Sequence, residues 1–224
     1  MFVGHYGVAF AARGAEKRLP LWAYFIAVQW VDILWTVLVF FGVEKVHIQP
    51  GVNPSGPLVF DYYPYTHSLM AAIGWGAAAY GLYRFVFTRR QGSQLTAGIL
   101  ALCVASHWFL DLLVHLPDLP VTDEHLKVGL GLWYHPTLEL AVELVLLFAG
   151  LAYCFSRSPE LSRPRRVTLV IFCLVMTAFQ LAGSFGPPPP SVKVMAVSGL
   201  VLYLLFAGVA WLIERRPAAS RPAG

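Results

Sequence analysis

The chain has 224 residues, of which 58% are apolar and only 12% are charged. Soluble domains carry about 25% charged residues, so this composition excludes an ordinary soluble protein and indicates one that spans a membrane. The net charge of +4 does not indicate a nucleic-acid-binding protein, because most of the basic residues follow a membrane-topology pattern rather than forming a patch.

Six apolar runs are long enough to cross a bilayer, which takes about 20 helical residues. We therefore predict an all-α polytopic membrane bundle of six transmembrane helices, preceded by an N-terminal half-span helix at residues 1–12. The predicted spans are residues 19–43, 67–87, 95–115, 137–155, 167–185 and 194–213. We expect residues 1–157 to form a metal-binding bundle, residues 158–214 to add two supporting helices, and residues 215–224 to form a disordered cytoplasmic tail.

The first apolar segment is too short to cross a bilayer, and the basic residues Arg13, Lys17 and Arg18 follow it directly. We expect a helix that begins inside the bilayer and descends to the cytoplasm. His5 would then lie at a depth where a polar group needs a partner within the bundle, and we expect it within a few ångströms of Asp111.

Further polar residues lie at the outer ends of the other predicted spans. The first full span carries Asp32 near its middle, and the loop of residues 44–66 has the Pro, Gly, Asn and aromatic content of an ordered lid at a membrane surface. This loop leads into His67, and Thr66 is in a position to cap the second span. The next outer loop leads into His135 and Glu139, which we expect one helical turn apart.

The third span ends with His107, Asp111 and His115, which are spaced by four residues and project from nearly one face of a helix. A carboxylate between two imidazoles in an apolar setting is costly unless a charge compensates it, and a metal ion is the compensation that we expect. At about 1.5 Å per helical residue, eight potential ligands reach the outer two-thirds of the bilayer. They are His5, Asp32, His67, His107, Asp111, His115, His135 and Glu139. Imidazole and carboxylate ligands without thiols suit zinc, with iron or manganese as alternatives.

These residues resemble a known family. His5, Asp32, Thr66-His67-Ser68 and Ser106-His107-x-x-x-Asp111 look like the bacterial membrane-bound metal-dependent hydrolase-like family, also labelled LexA-binding inner-membrane-associated putative hydrolases. The ligand order is also similar to that of the zinc-dependent phospholipase C and single-strand nuclease fold. By this resemblance, which covers residues 1–140, His5, Asp32, His67, His107 and Asp111 would hold two zinc ions with Asp111 as the bridge. His115, His135 and Glu139 would hold a third ion.

The predicted function is that of a metal-dependent hydrolase whose site opens toward the outside. Bound ions activate a water and clamp a phosphoryl group, so we expect a phosphoester of a lipid or lipid-linked substrate, with Asp32 and Asp111 at the reacting centre. One alternative is a metal carrier or a b-type haem protein that uses two of His67, His107 and His135. Another is a structural membrane subunit whose polar residues hydrogen-bond between helices. The expected partners are the lipid bilayer and the substrate, with no nucleic acid, and the oligomeric state stays open.

The basic residues predict the orientation of the chain in a bacterial-type inner membrane. Of the 16 Lys and Arg residues, Lys45, Lys127 and Lys193 lie on one side of the predicted spans and the remaining 13 on the other. By the positive-inside rule, the second side is cytoplasmic. We predict that reporter fusions at residues 163–166 and at the C-terminal tail will report a cytoplasmic location. A fusion at either place that reports the outside would contradict the depth assigned to every ligand.

Overall fold

A computed structural model describes residues 1–87, 93–123 and 125–215. Nine α-helices dominate these described residues, as the predicted all-α class requires, and two short antiparallel hairpins join them. The helices are α1 (Val3–Ala15), α2 (Leu21–Val28), α3 (Trp30–Phe40), α4 (Pro64–His67), α5 (Leu69–Gly81), α6 (Ser93–Val114), α7 (Pro136–Arg157), α8 (Arg163–Phe185) and α9 (Val192–Glu214). The strands are β1 (Lys45–Asn53), β2 (Gly56–Tyr62), β3 (Leu119–Pro120) and β4 (Lys127–Val128). Apart from Arg215, the predicted disordered tail lies outside the described residues.

Four of the described helices, α6 to α9, are long and apolar enough to cross a membrane, which supports membrane association. The predicted first span is not one straight helix, because α2 and α3 are bent by 53° at Gln29. Counting this bent pair as one span would raise the number to five. The predicted second span begins with the 13-residue helix α5 and continues as a π-helical segment, Leu82–Phe87. Six spans are therefore not confirmed, since an apolar run does not reveal whether its residues form one continuous helix.

The short helix predicted at the start of the chain is present as α1, and it is buried against α7. Two glycines allow this approach, because a Cβ added at Gly7 would overlap the backbone carbonyl of Leu146, and one added at Gly150 would overlap the backbone of Gly7. Glycine is the residue that lets two backbones come this close. The contact fixes the position of α1 within the bundle.

The first turn of α1 is capped by an acid from α7. The Glu143 carboxylate accepts hydrogen bonds from the Phe2 and Gly4 backbone N–H groups, at 2.7 and 2.6 Å. The first N–H groups of a helix have no partner within the helix, and a carboxylate there also interacts favourably with the helix dipole. Glu143 therefore orients the segment that carries His5.

The loop of residues 44–66, which the sequence predicts as an ordered lid, forms the hairpin of β1 and β2 and leads into the short helix α4. The hairpin is attached to the bundle by a hydrogen bond of 2.9 Å from the Ser55 hydroxyl to the Trp133 carbonyl. The Phe60 ring stacks on the Trp133 ring, with centroids 5.8 Å apart. The hairpin thus covers the end of the bundle at which His67 and His115 lie.

The last two helices enclose the first three. α9 packs along α2 and α3, and its Phe206 ring lies 5.7 Å from both the Tyr6 ring of α1 and the Phe172 ring of α8. At the opposite end, Glu214 accepts a hydrogen bond of 2.8 Å from the Arg13 side chain. Contacts with the end of the chain therefore hold α1 and the bent pair in place.

We predict that Gly150→Ala will destabilise the protein by about 1–3 kcal/mol, because the added methyl group would force α1 and α7 apart. The matched control is Gly98→Ala in α6, where an added Cβ meets no atom within 4 Å. Thermal unfolding of the purified protein in detergent measures both variants. Equal unfolding temperatures for the two variants would contradict the close contact between α1 and α7.

Candidate metal centre

Five of the predicted ligands converge in the interior of the bundle. They are His5 of α1, Asp32 of α3, His67 at the end of α4, and His107 and Asp111 of α6. Each of them is at most 8% exposed. Their ligand atoms form two groups within 4.8 Å, one of His5, His107 and Asp111 and the other of Asp32, His67 and His107.

The Asp111 carboxylate lies between the two groups. Its Oδ1 atom is 2.8 Å from the Met1 amino nitrogen and 3.2 Å from His5 Nε2. Its Oδ2 atom is 3.2 Å from His107 Nε2 and 3.7 Å from His67 Nε2. The two oxygens therefore face different partners, an arrangement that a bridging carboxylate requires.

The imidazole nitrogens and carboxylate oxygens of the centre have the spacing of metal ligands. Asp32 Oδ1 is 3.3 Å from His67 Nε2 and 3.5 Å from His107 Nε2, and Asp111 Oδ2 is 3.7 and 3.2 Å from the same two nitrogens. Ligands held at 2.0–2.2 Å around a tetrahedral zinc ion are about 3.3–3.6 Å apart. Hydrogen bonds between nitrogen and oxygen are mostly shorter, near 2.9–3.0 Å. The spacing therefore fits metal ligands better than direct hydrogen bonds.

The other ring nitrogen of two of these histidines has a hydrogen-bond acceptor. His107 Nδ1 is 2.8 Å from the Val28 carbonyl oxygen, so that it donates its proton there. His67 Nδ1 is 2.8 Å from the Thr66 hydroxyl, which itself donates to Glu44 Oε2 at 2.6 Å. The hydroxyl oxygen consequently accepts from His67, and in both rings Nε2 is left with a lone pair. Metal-binding histidines are oriented by such partners.

The bend in the first span supplies one of these partners. α2 ends at Val28, and the carbonyl oxygens in the last turn of a helix have no N–H donor within that helix. His107 donates to this carbonyl. α3 begins immediately afterwards and carries Asp32 in its first turn, where the helix dipole stabilises a carboxylate. The break thus creates positions for two residues of the centre.

Glu44 is a residue of this centre that the sequence analysis did not find. Its carboxylate is 1% exposed and accepts hydrogen bonds from the Tyr65 and Thr66 backbone N–H groups and from the Thr66 hydroxyl. Burial raises the pKa of the Glu44 carboxyl, and the hydrogen bonds from Thr66 oppose this rise. The prediction that Thr66 caps the second span is wrong, because its hydroxyl is engaged by Glu44, and Ser68 caps α5 instead.

His5 lies where the sequence analysis expected it, 3.2 Å from Asp111 Oδ1. Its ring is fully buried and stacks on the His107 ring, with centroids 3.9 Å apart and planes 5° apart. Neither of its ring nitrogens, nor Nε2 of His107, has a hydrogen-bond partner among the described residues. Buried polar atoms without partners are rare, and two of these, the Nε2 atoms of His5 and His107, lie 3.2 Å from the Asp111 carboxylate.

The residues predicted for a third ion are not assembled. His115 Nε2 is 3.9 Å from Asp111 Oδ2, and its Nδ1 bonds Asp118 at 2.9 Å, but His115 belongs to neither group in the described part of the chain. His135 precedes α7 and is exposed. Glu139 is buried beside Glu143. A third ion at these residues therefore stays a prediction.

No family model, no curated protein and no solved structure matches this chain. The resemblance to the membrane-bound hydrolase-like family consequently stays a prediction, and the geometry of the centre has to carry the functional argument.

We predict that Thr66→Val will weaken zinc binding by roughly 10- to 100-fold, the usual cost of losing a residue that orients a metal-binding histidine. The valine methyl group cannot accept the Nδ1 proton of His67. Thr66→Ser keeps the hydroxyl and is expected to bind zinc like the unaltered protein. Zinc titration of purified, chelator-treated protein measures both affinities. Equal affinities in the two variants would exclude a positioning role for Thr66.

Proposed function

We propose that the protein is a membrane-embedded, metal-dependent hydrolase that binds zinc and cleaves a phosphoester in a lipid or lipid-linked substrate. The observation that carries the proposal is the set of four distances of 3.2–3.7 Å between the Nε2 atoms of His67 and His107 and one oxygen each of Asp32 and Asp111. Buried nitrogen and carboxylate-oxygen ligands with this spacing are suited to zinc, and also to iron or manganese.

The structural alternative, in which these residues only hydrogen-bond between helices, explains the geometry less well. Such contacts would leave buried groups paired at ordinary hydrogen-bond distances. Instead, His107 Nε2 has no hydrogen-bond partner among the described residues, although Asp111 Oδ2 lies 3.2 Å and Asp32 Oδ1 lies 3.5 Å away. A cation bound by these groups would satisfy the unpaired nitrogen.

The haem alternative also fits less well. Two axial histidines approach a haem iron from opposite faces of the ring. His67 and His107, by contrast, both direct Nε2 toward the same oxygens of Asp32 and Asp111, and their ring centroids are 5.4 Å apart. His135, the third histidine considered for this role, is exposed.

The ligand groups suggest two unequal ion sites. His107 occurs in both groups but has only one free ring nitrogen, because Nδ1 donates to Val28. If His107 binds the same ion as Asp32 and His67, the other site keeps His5 and Asp111 Oδ1 as ligands. Such a site has positions left for water or substrate, as catalytic zinc sites do and structural ones do not.

The residues of the chain would divide the chemistry between them. Zinc, when bound, polarises a phosphoryl oxygen and makes water a stronger nucleophile. Asp111 would hold the two sites together, and Asp32 is the candidate base that accepts a proton from the attacking water. The water oxygen would form a new bond to phosphorus while the bond to the ester oxygen breaks, and the leaving oxygen would take up the proton from Asp32 to depart as an alcohol. Burial of all five ligands keeps bulk water away from this reaction.

We predict that Asp111→Asn will lose most of the bound zinc, because the amide keeps the shape of the side chain but removes the charge that faces both groups. His125→Ala, which changes a histidine of the loop of β3 and β4, is the control and should retain zinc. Elemental analysis of the purified proteins measures zinc per chain. The unaltered protein should hydrolyse a lipid phosphoester, lose this activity on chelation and regain it with zinc. Unchanged zinc content in Asp111→Asn would contradict the bridging role of this residue. Zinc-loaded protein that hydrolyses no lipid phosphoester would contradict the proposed enzymatic activity.

A further inference from the structure

A cavity of about 220 Å³ lies beside the candidate metal centre, between the turn of the first hairpin, the first turns of α7 and the last turns of α8. Met1, Phe60 and Trp133 form the wall that it shares with the centre. The Met1 amino nitrogen is 2.8 Å from Asp111 Oδ1, and the Phe60 and Trp133 rings lie 5.1 and 4.2 Å from the His115 ring. The cavity therefore adjoins the centre at Met1, and it adjoins His115 at Phe60 and Trp133.

Gln180 of α8 lines this cavity and carries a buried, unpaired acceptor. Its side chain is 7% exposed, and its amide oxygen has no hydrogen-bond partner among the described residues. Its amide nitrogen donates to the Ser184 hydroxyl at 3.3 Å. An unpaired buried acceptor is costly, so this oxygen calls for a donor that a ligand would bring.

Two further hydrogen-bond acceptors line the cavity. Glu139 and Glu143 both line the cavity, and the Glu143 oxygens are already bonded to the backbone N–H groups of Phe2 and Gly4. Glu139 lies beside Glu143 and is the second carboxyl of this wall. None of the described residues that line the cavity is Lys or Arg, and the ammonium of Met1 is already bonded to Asp111. This wall favours a group with O–H or N–H donors and disfavours a further negative charge.

We propose that this cavity binds the terminal part of a lipid head group that carries hydrogen-bond donors and no negative charge. The donors are either hydroxyl groups, as in a glycerol head group, or an ammonium group, as in an ethanolamine head group. Gln180 and Glu139 accept hydrogen bonds from this part, while the phosphoester lies against Asp111. This assignment rests on the proposed function, because it places the two ends of one substrate in adjoining sites.

The test compares three lipids with identical acyl chains: phosphatidylethanolamine, phosphatidylglycerol and phosphatidic acid, which lacks the terminal group. Native mass spectrometry of the full-length, chelator-treated protein measures their affinities without turnover. At least one of the first two should bind about tenfold more tightly than phosphatidic acid, the effect of one or two good hydrogen bonds. Gln180→Leu should reduce this preference about tenfold. The control is Thr177→Val, one turn earlier in α8, whose hydroxyl bonds the Cys173 carbonyl and does not line the cavity.

The outcomes separate the two sources of donors. If Glu139→Gln abolishes the preference for phosphatidylethanolamine, the ligand is the ammonium group, and if it leaves a preference for phosphatidylglycerol unchanged, the ligand is the hydroxyl group. Equal binding of all three lipids, or a Gln180→Leu variant that behaves like Thr177→Val, would overturn the assignment. Zinc content is measured separately on the same preparations. If the protein binds no zinc but keeps the lipid preference, the proposed hydrolase is wrong and the proposed head-group site stands. If it binds zinc but shows no lipid preference, the proposed head-group site is wrong.

Discussion

Two carboxylates in the interior of an apolar bundle, Asp32 and Asp111, impose the constraint on which the rest of the structure depends. A buried carboxylate is strongly unfavourable unless cations or hydrogen-bond donors surround it. The Met1 ammonium donates to Asp111, and three separate segments bring imidazoles to the two carboxylates, since α1 carries His5, the hairpin leads into His67, and α6 carries His107. The buried position of a short first helix and the close glycine contact between α1 and α7 follow from the need to bring His5 to Asp111.

The histidines are oriented by groups that lie at irregular points of the backbone. His107 donates to the Val28 carbonyl at the end of α2, and His67 donates to a hydroxyl just before the start of α5. A continuous helix across residues 21–40 would have used the Val28 carbonyl within its own hydrogen-bond ladder. The bend that interrupts the first apolar run is therefore also a feature that the centre uses.

The sequence was sufficient to predict the ligands that lie on regular helices, but it was insufficient to predict the residues that orient them. The spacing of His107 and Asp111 follows from helical periodicity, and the place of His5 follows from the length of its apolar segment and the basic residues behind it. The pairing of Glu44 with Thr66 joins loop residues 22 positions apart, which no periodicity reports. The bend at Gln29 was missed because the apolar run continues through it. His135 and Glu139 are four residues apart, but His135 precedes the helix and is exposed, so that their spacing did not bring them together.

Residues after position 140, where the predicted resemblance ends, also contribute to the centre. Glu143 of α7 caps α1, the Tyr203 hydroxyl of α9 interacts with Asp32, and α9 packs along both halves of the bent pair. A soluble enzyme with a similar order of ligands would need other supports, because these come from apolar helices. The supports also explain why a cavity at the end of α8 adjoins the centre. The helices that stabilise the ligands are the same ones that enclose the space beside them, so ligand geometry and access to the centre depend on one set of contacts.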